Sequence, residues 1–324
     1  MTRILFILLL ALTLAPVALA DGYAPLAEQN GEGVIAPDGL TRFVAVGQYN
    51  STDTILTKID AQTGVVEQST PLDGAWGIPI FTYGPNSGEG LSADGKTLVV
   101  ADLAPTLPRQ ESRFLFVNPK TLQPLKEAVL KGDFSYDALS PEGTKLYLIQ
   151  HADVTDQIHY VVRAYDVTSE RLLPGRVADR TQKTWVMTGY PVARTSTPDG
   201  RWVYTLYNQP NGFPFVHALD TVRGVAHCVG LPWRGSQNAV YNMRLTLHGR
   251  SLAVHWLSGR PWYRMDTRTW RLSPDHRSSF QWWTLAFLGG IVPLGYALGR
   301  RRRSSLDAEL AELLREQPEE AALV

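Results

Sequence analysis

Cysteine is almost missing. Cys228 stands alone in 324 residues, which excludes an intrachain disulfide and a zinc site built on cysteine. Net charge is missing too: 31 basic and 31 acidic side chains cancel. Residues 300–324 hold five of the arginines and six of the acids and Arg3 lies in the leader, so residues 21–299 are themselves neutral. Without a basic stripe, nucleic acid is not an expected partner. Catalytic signatures are absent as well. No GxSxG elbow, HExxH pair, Walker loop or GxGxxG turn occurs. The seven histidines show no short ligand spacing on one strand, and Cys228 reads as a small buried strand residue. What is present suits a folded core: 44% of residues are apolar. Nine Trp, 27 Gly and 21 Pro favour strands and turns over a helical bundle.

Two apolar segments flank the body. Residues 1–20 combine Arg3, an apolar run from Ile4 to Leu14 and the ending Ala18-Leu19-Ala20, the pattern of a secretory signal peptide. An uncleaved anchor is the other reading. Residues 280–299 carry no charge, and about 20 apolar residues suffice to cross a bilayer. Trp282 and Trp283 open this stretch and Arg300 to Arg303 close it, which predicts a transmembrane helix with a cytoplasmic C-terminus. Residues 21–275 are then extracytoplasmic. In residues 304–324, Leu306, Leu310, Leu313 and Leu314 recur at helical spacing. That acidic amphipathic tail is either a dock for a cytoplasmic partner or a solvated or membrane-resting helix.

The body repeats itself. VIAPDGLTRFVAV, GLSADGKTLVVAD, ALSPEGTKLYLIQ, TSTPDGRWVYTLY and LTLHGRSLAVHW each set a tight turn between two apolar strands. The turn glycines, Gly39, Gly95, Gly143, Gly200 and Gly249, are spaced by 56, 48, 57 and 49 residues. Glycine belongs there because such a hairpin turn demands positive φ. A second marker keeps step: Asp60, Asn118, Asp166, Asp220 and Asp266 each end a strand and open a turn. Every unit therefore supplies four short antiparallel strands.

These motifs resemble the YVTN and WD40-like β-propeller repeats of secreted, membrane-anchored bacterial proteins, over about residues 31–273. The resemblance implies an all-β fold, a β-propeller of about five four-stranded blades, to which residues 280–299 add the one expected C-terminal transmembrane helix. Six blades are expected instead if residues 68–90 hide a degenerate unit, and a sandwich of evenly spaced strands is the alternative fold.

Within such a disk the Gly and Asp turns share one face, and the longer connections share the other. Residues 68–90, 102–112, 128–137, 150–159, 174–192, 207–214 and 229–242 form that long-loop face, where recognition usually resides. Trp76, Trp185, Trp233 and Asn208 lie in it, either as contact residues for a protein or glycan or as plugs folded back into the disk. Six residues before the turn glycines stand Gly33, Glu89, Asp137, Arg194 and Met243, with Arg244 adjacent. Three charges at one ring position predict either an ion-pair ring or a divalent cation held by Glu89 and Asp137. No cofactor beyond that cation is expected. The expected function is a membrane-tethered extracytoplasmic binding module for a protein, glycan or envelope component. The alternative is a metal-dependent propeller hydrolase or lactonase-like enzyme.

Overall fold

A computed structural model describes residues 27–275 apart from 49–50, 83–86, 104–108, 154–155 and 183–185. Residues 1–20, 280–299 and 300–324, and Trp185, lie outside the described residues. Among the described residues no helix is long and apolar enough to cross a membrane. The chain divides into Met1–Pro274, which carries every sheet below, and Asp275–Val324.

Five antiparallel sheets follow one another along the chain. The first contains β1 (Val34–Ile35), β2 (Thr41–Gly47), β3 (Thr54–Asp60) and β4 (Val66–Leu72). The second contains β5 (Trp76–Gly77), β6 (Leu98–Asp102), β7 (Glu111–Val117) and β8 (Pro124–Lys131). The third contains β9 (Phe134–Leu139), β10 (Lys145–Asp153), β11 (Asp156–Asp166) and β12 (Arg171–Leu172), and β13 (Met187–Thr188) also pairs with β11. The fourth contains β14 (Tyr190–Ser196), β15 (Trp202–Asn208), β16 (Phe215–Asp220) and β17 (Val225–Gly230). The fifth contains β18 (Met243–His248), β19 (Ser251–Trp256), β20 (Pro261–Asp266) and β21 (Leu272–Pro274). Residues 68–90 complete the first sheet and open the second, so no sixth sheet arises among the described residues.

Both repeat markers have a local physical cause. The five turn glycines all adopt positive φ, between 56° at Gly249 and 72° at Gly39. At the second marker, side-chain Oδ1 atoms accept from backbone N–H groups just downstream. Asp60 takes those of Gln62 and Thr63 at 2.9 and 2.7 Å, and Asp266 those of Arg268 and Thr269 at 3.0 and 2.7 Å. Asn118, Asp166 and Asp220 make the same turn. A short carboxylate or amide that satisfies one or two turn donors fixes where each third strand ends.

Sheets stack on their neighbours in chain order. Phe43 and Leu56 of the first pack with Trp76 and Leu98 of the second. Phe114 and Ala128 of the second meet Leu146 and Tyr165 of the third. Tyr147 and Tyr160 of the third meet Tyr207 and Leu219 of the fourth. Tyr204 and Leu206 of the fourth meet Met243 and Leu252 of the fifth. Each such side chain contributes about 1.5–3 kcal/mol when it leaves water. Among the described residues no core cluster joins the fifth sheet to the first. The first sheet's other face carries Ile35, Val46, Ile55 and Ile59 half-buried. Residues of three first strands, β1, β9 and β14, line one cavity. Five four-stranded units stacked in this way, four of them bordering the cavity, form a β-propeller.

Two expected loops are strands. Residues 128–137 lie mostly in β8 and β9, and residues 150–159 mostly in β10 and β11. Antiparallel pairing continues to Asp153↔Asp156, because each added rung satisfies two more backbone groups.

Candidate binding site

The ring register brings charges together at the centre. Arg194 on β14 donates through Nη1 to the Asp137 carbonyl, through Nη2 to the Asp137 carboxylate, and through Nε to Thr205 Oγ1 at 3.0 Å. Its Nη1 lies 3.8 Å from Glu89 Oε1, and its guanidinium stacks 3.7 Å over the Phe81 ring. Arg194 and Asp137 side chains are 5% and 2% exposed, whereas Glu89 keeps 33% open. Glu89 lines a cavity of about 480 Å³ with Tyr136, Leu139, Arg194 and Val203. This cavity extends to Pro37, Ala93, Pro198 and Gly200, the tight-turn side. Burial raises the Glu89 pKa; Arg194 opposes the rise and Asp137 adds to it. Burial also works against the Arg194 charge, but Glu89 and then Asp137 outweigh it, so the guanidinium stays firmly protonated.

Arg194, Asp137 and Glu89 form an ion-pair cluster. A guanidinium already holds the Asp137 carboxylate, so a divalent cation would have to displace it. Among the described residues no three His, Cys, Asp or Glu side chains gather as a metal site. The other two ring positions do not join. Met243 is fully buried between the fourth and fifth sheets. At Gly33 (φ 70°) a Cβ would lie 2.0 Å from the Phe43 carbonyl oxygen, so only glycine fits.

A cysteine–histidine pair exists but is poorly matched to nucleophilic chemistry. His217 Nδ1 lies 3.4 Å from Cys228 Sγ. Burial, then the Asp179 charge, pushes the thiol up to about 12. Burial above all pulls the imidazole down to about 4. Both groups are neutral near pH 7, and the nucleophilic thiolate is scarce.

On the long-loop face Trp76 and Trp233 fold inward. Trp76 is 2% exposed in the core between the first two sheets, with Nε1 donating to the Asp73 carbonyl at 2.8 Å. Trp233 is 7% exposed, packs edge-on against Trp262 and donates to the Ser236 carbonyl at 3.3 Å. Neither indole is offered at the surface. Asn208 is buried and its Nδ2 donates to the Gln237 carbonyl, while Gln237 Nε2 donates to the Gly212 carbonyl at 2.7 Å. Arg244 stands apart from the central cluster and donates to the Tyr241 and Met243 carbonyls at 3.2 and 2.8 Å. Leu257 N–H donates to the Asn242 carbonyl at 2.6 Å.

These bonds tie three loops of the fourth and fifth sheets into one surface. On it stand Phe213, Tyr241 and Leu257, with exposures of 63%, 46% and 62%. Trp233, Asn208 and Arg244 thus hold the patch from behind. The outward residues themselves carry no spacing signal in the sequence. Sequence reasoning missed a second buried ion cluster. Arg109 donates to Asp133 Oδ1 at 3.0 Å and Ser135 Oγ at 3.2 Å, with Asp102 Oδ1 3.5 Å away. Arg109 sits in an aperiodic connection, so only its charge inside a long loop marked it.

No family model matches the sequence, and no curated protein matches it. Among solved structures, the chain is similar to hydrazine synthase of Kuenenia stuttgartiensis at 17% identity, over 78% of this chain and 80% of that one, with a TM-score of 0.41. It is similar to TolB of Acinetobacter baumannii at 14% identity, over 72% of this chain and 53% of that one, with a TM-score of 0.41. It is similar to BamB of Moraxella catarrhalis at 12% identity, over 77% of this chain and 65% of that one, with a TM-score of 0.37. This chain therefore spans about half of the TolB chain and just under two thirds of the BamB chain.

Proposed function

We propose that this chain is a membrane-tethered extracytoplasmic binding module that presents its long-loop face to a protein partner. One observation carries the reading: Phe213, Tyr241 and Leu257 stand exposed on three loops that are hydrogen-bonded to one another. Large apolar side chains held on a braced surface lose little conformational entropy on binding, and aromatics are enriched at the centres of interfaces. The charged groups at the centre are engaged with each other instead, which favours binding over catalysis. Export by residues 1–20 and anchoring by residues 280–299 complete the proposal, and tethering raises the effective concentration near other surface proteins.

The test is a pull-down from envelope extract with the full chain in detergent, comparing wild type with Phe213→Ala/Tyr241→Ala/Leu257→Ala. Partners lost from the variant support the face; identical partner sets refute it. Topology has its own test. A C-terminal epitope that protease removes from intact cells would refute the tether orientation.

A further inference from the structure

A second recess lies on the fourth sheet's border with the third, away from the long-loop patch. Its volume is about 380 Å³, and its lining includes Lys145, Arg176, Arg180 and Arg223 and no acidic residue. The Tyr147 ring, Ala164, Leu173 and Val177 give it an apolar wall. Lys145 Nζ donates to the Val222 carbonyl at 2.7 Å, which fixes the lysine over the recess. Tyr147 Oη donates to the Thr221 carbonyl at 2.7 Å and braces the same turn. The three arginines are exposed, and their guanidinium groups have no side-chain partner among the described residues.

Nearby carboxylates are turned to other work. Asp220 accepts from the Val222 and Arg223 N–H groups and pairs with Arg201 at 3.1 Å. Asp179 accepts from the Cys228 N–H at 2.8 Å and from Thr181. Among the described residues, these four cations around one concavity therefore have no paired carboxylate. In a chain with no net charge, such local imbalance is a specific feature of this place.

We propose that this recess binds a phosphate monoester, with the arginines and Lys145 on the phosphate and a short carbon stem against Leu173 and Val177. Planar guanidinium forks match phosphate oxygens two at a time, and a dianion needs the several cations gathered here better than a carboxylate does. This site is independent of the long-loop reading. The phosphate has two sources, a soluble ester or the headgroup of a lipid, and the experiment separates them.

The full chain in detergent is titrated with glycerol 3-phosphate at fixed ionic strength. In parallel, its retention on phosphatidic acid vesicles is compared with that on phosphatidylcholine vesicles. Wild type is set beside Arg176→Gln/Arg223→Gln and beside a control double, Arg234→Gln/Arg268→Gln, placed elsewhere on the surface. Saturable binding of the ester, weakened about tenfold or more by the first double and under about twofold by the control, assigns a soluble source. Retention on phosphatidic acid alone, with the same variant pattern, assigns a lipid source. No saturable binding to either probe overturns the proposal, and so does equal weakening by both doubles. Thermal unfolding of each variant separates lost binding from lost folding.

Discussion

Arg194 donates to both the backbone carbonyl and the carboxylate of Asp137, residues 57 positions apart on the inner strands of adjacent sheets. Both are buried, and Asp137 Oδ2 keeps no hydrogen-bond partner among the described residues. Removing one partner strands the other. Arg194→Met should destabilise the chain by about 3–5 kcal/mol in urea unfolding, because Asp137 is left as an unpaired buried charge. The double variant Arg194→Met/Asp137→Leu should recover part of that loss. A double no more stable than the single would refute the pairing.

Glu89 makes stability fall on the alkaline side of its titration. Its folded pKa is raised above 4.5, so its contribution is full below that value and is lost as pH climbs through the raised value. Glu89→Gln should flatten this slope and raise stability at pH 7. An unchanged profile of unfolding free energy against pH would exclude it.

His217 acts with the opposite sign. Its folded pKa lies near 4 against 6.5 for a free imidazole, so stability present above pH 6.5 drains away as pH falls toward 4. At its steepest the slope is about 1.4 kcal/mol per pH unit for one proton. His217→Gln should remove that slope, and proton titration of the imidazole by nuclear magnetic resonance should find it neutral at pH 6.

Two turn glycines should differ in cost although both have positive φ. A Cβ at Gly249 meets nothing within 4 Å, whereas one at Gly200 would lie 2.6 Å from the Ala93 Cβ. Gly249→Ala should cost about 1–2 kcal/mol from backbone strain alone, and Gly200→Ala more. Equal melting temperatures for the two variants would contradict the contact between the Gly200 turn and Ala93.

Much of this could be read from the chain. Gly39 and Asp60 announce local geometry that needs no tertiary contact, so counting back six residues from each turn glycine found Glu89, Asp137 and Arg194 before they met. That count could not reveal their partners, because pairing depends on how adjacent blades turn toward each other. Trp76 and Trp233 illustrate the same limit: a tryptophan in a long connection reads alike whether it faces out or in. The patch of Phe213, Tyr241 and Leu257 spans two repeats and has no period, and only the bonds through Gln237 and Asn242 unite it. Trp185 and residues 280–299 lie outside the described residues.

Because, among the described residues, the apolar layers unite each sheet mainly with its sequence neighbours, with Phe81 of the second unit also reaching the fourth sheet, the free energy of the body is close to a nearest-neighbour sum. Among the described residues the first and fifth sheets each own one such interface while the middle three own two. Unzipping therefore starts at the ends and travels inward, and duplication of an internal unit would insert a blade without remaking any existing interface but one.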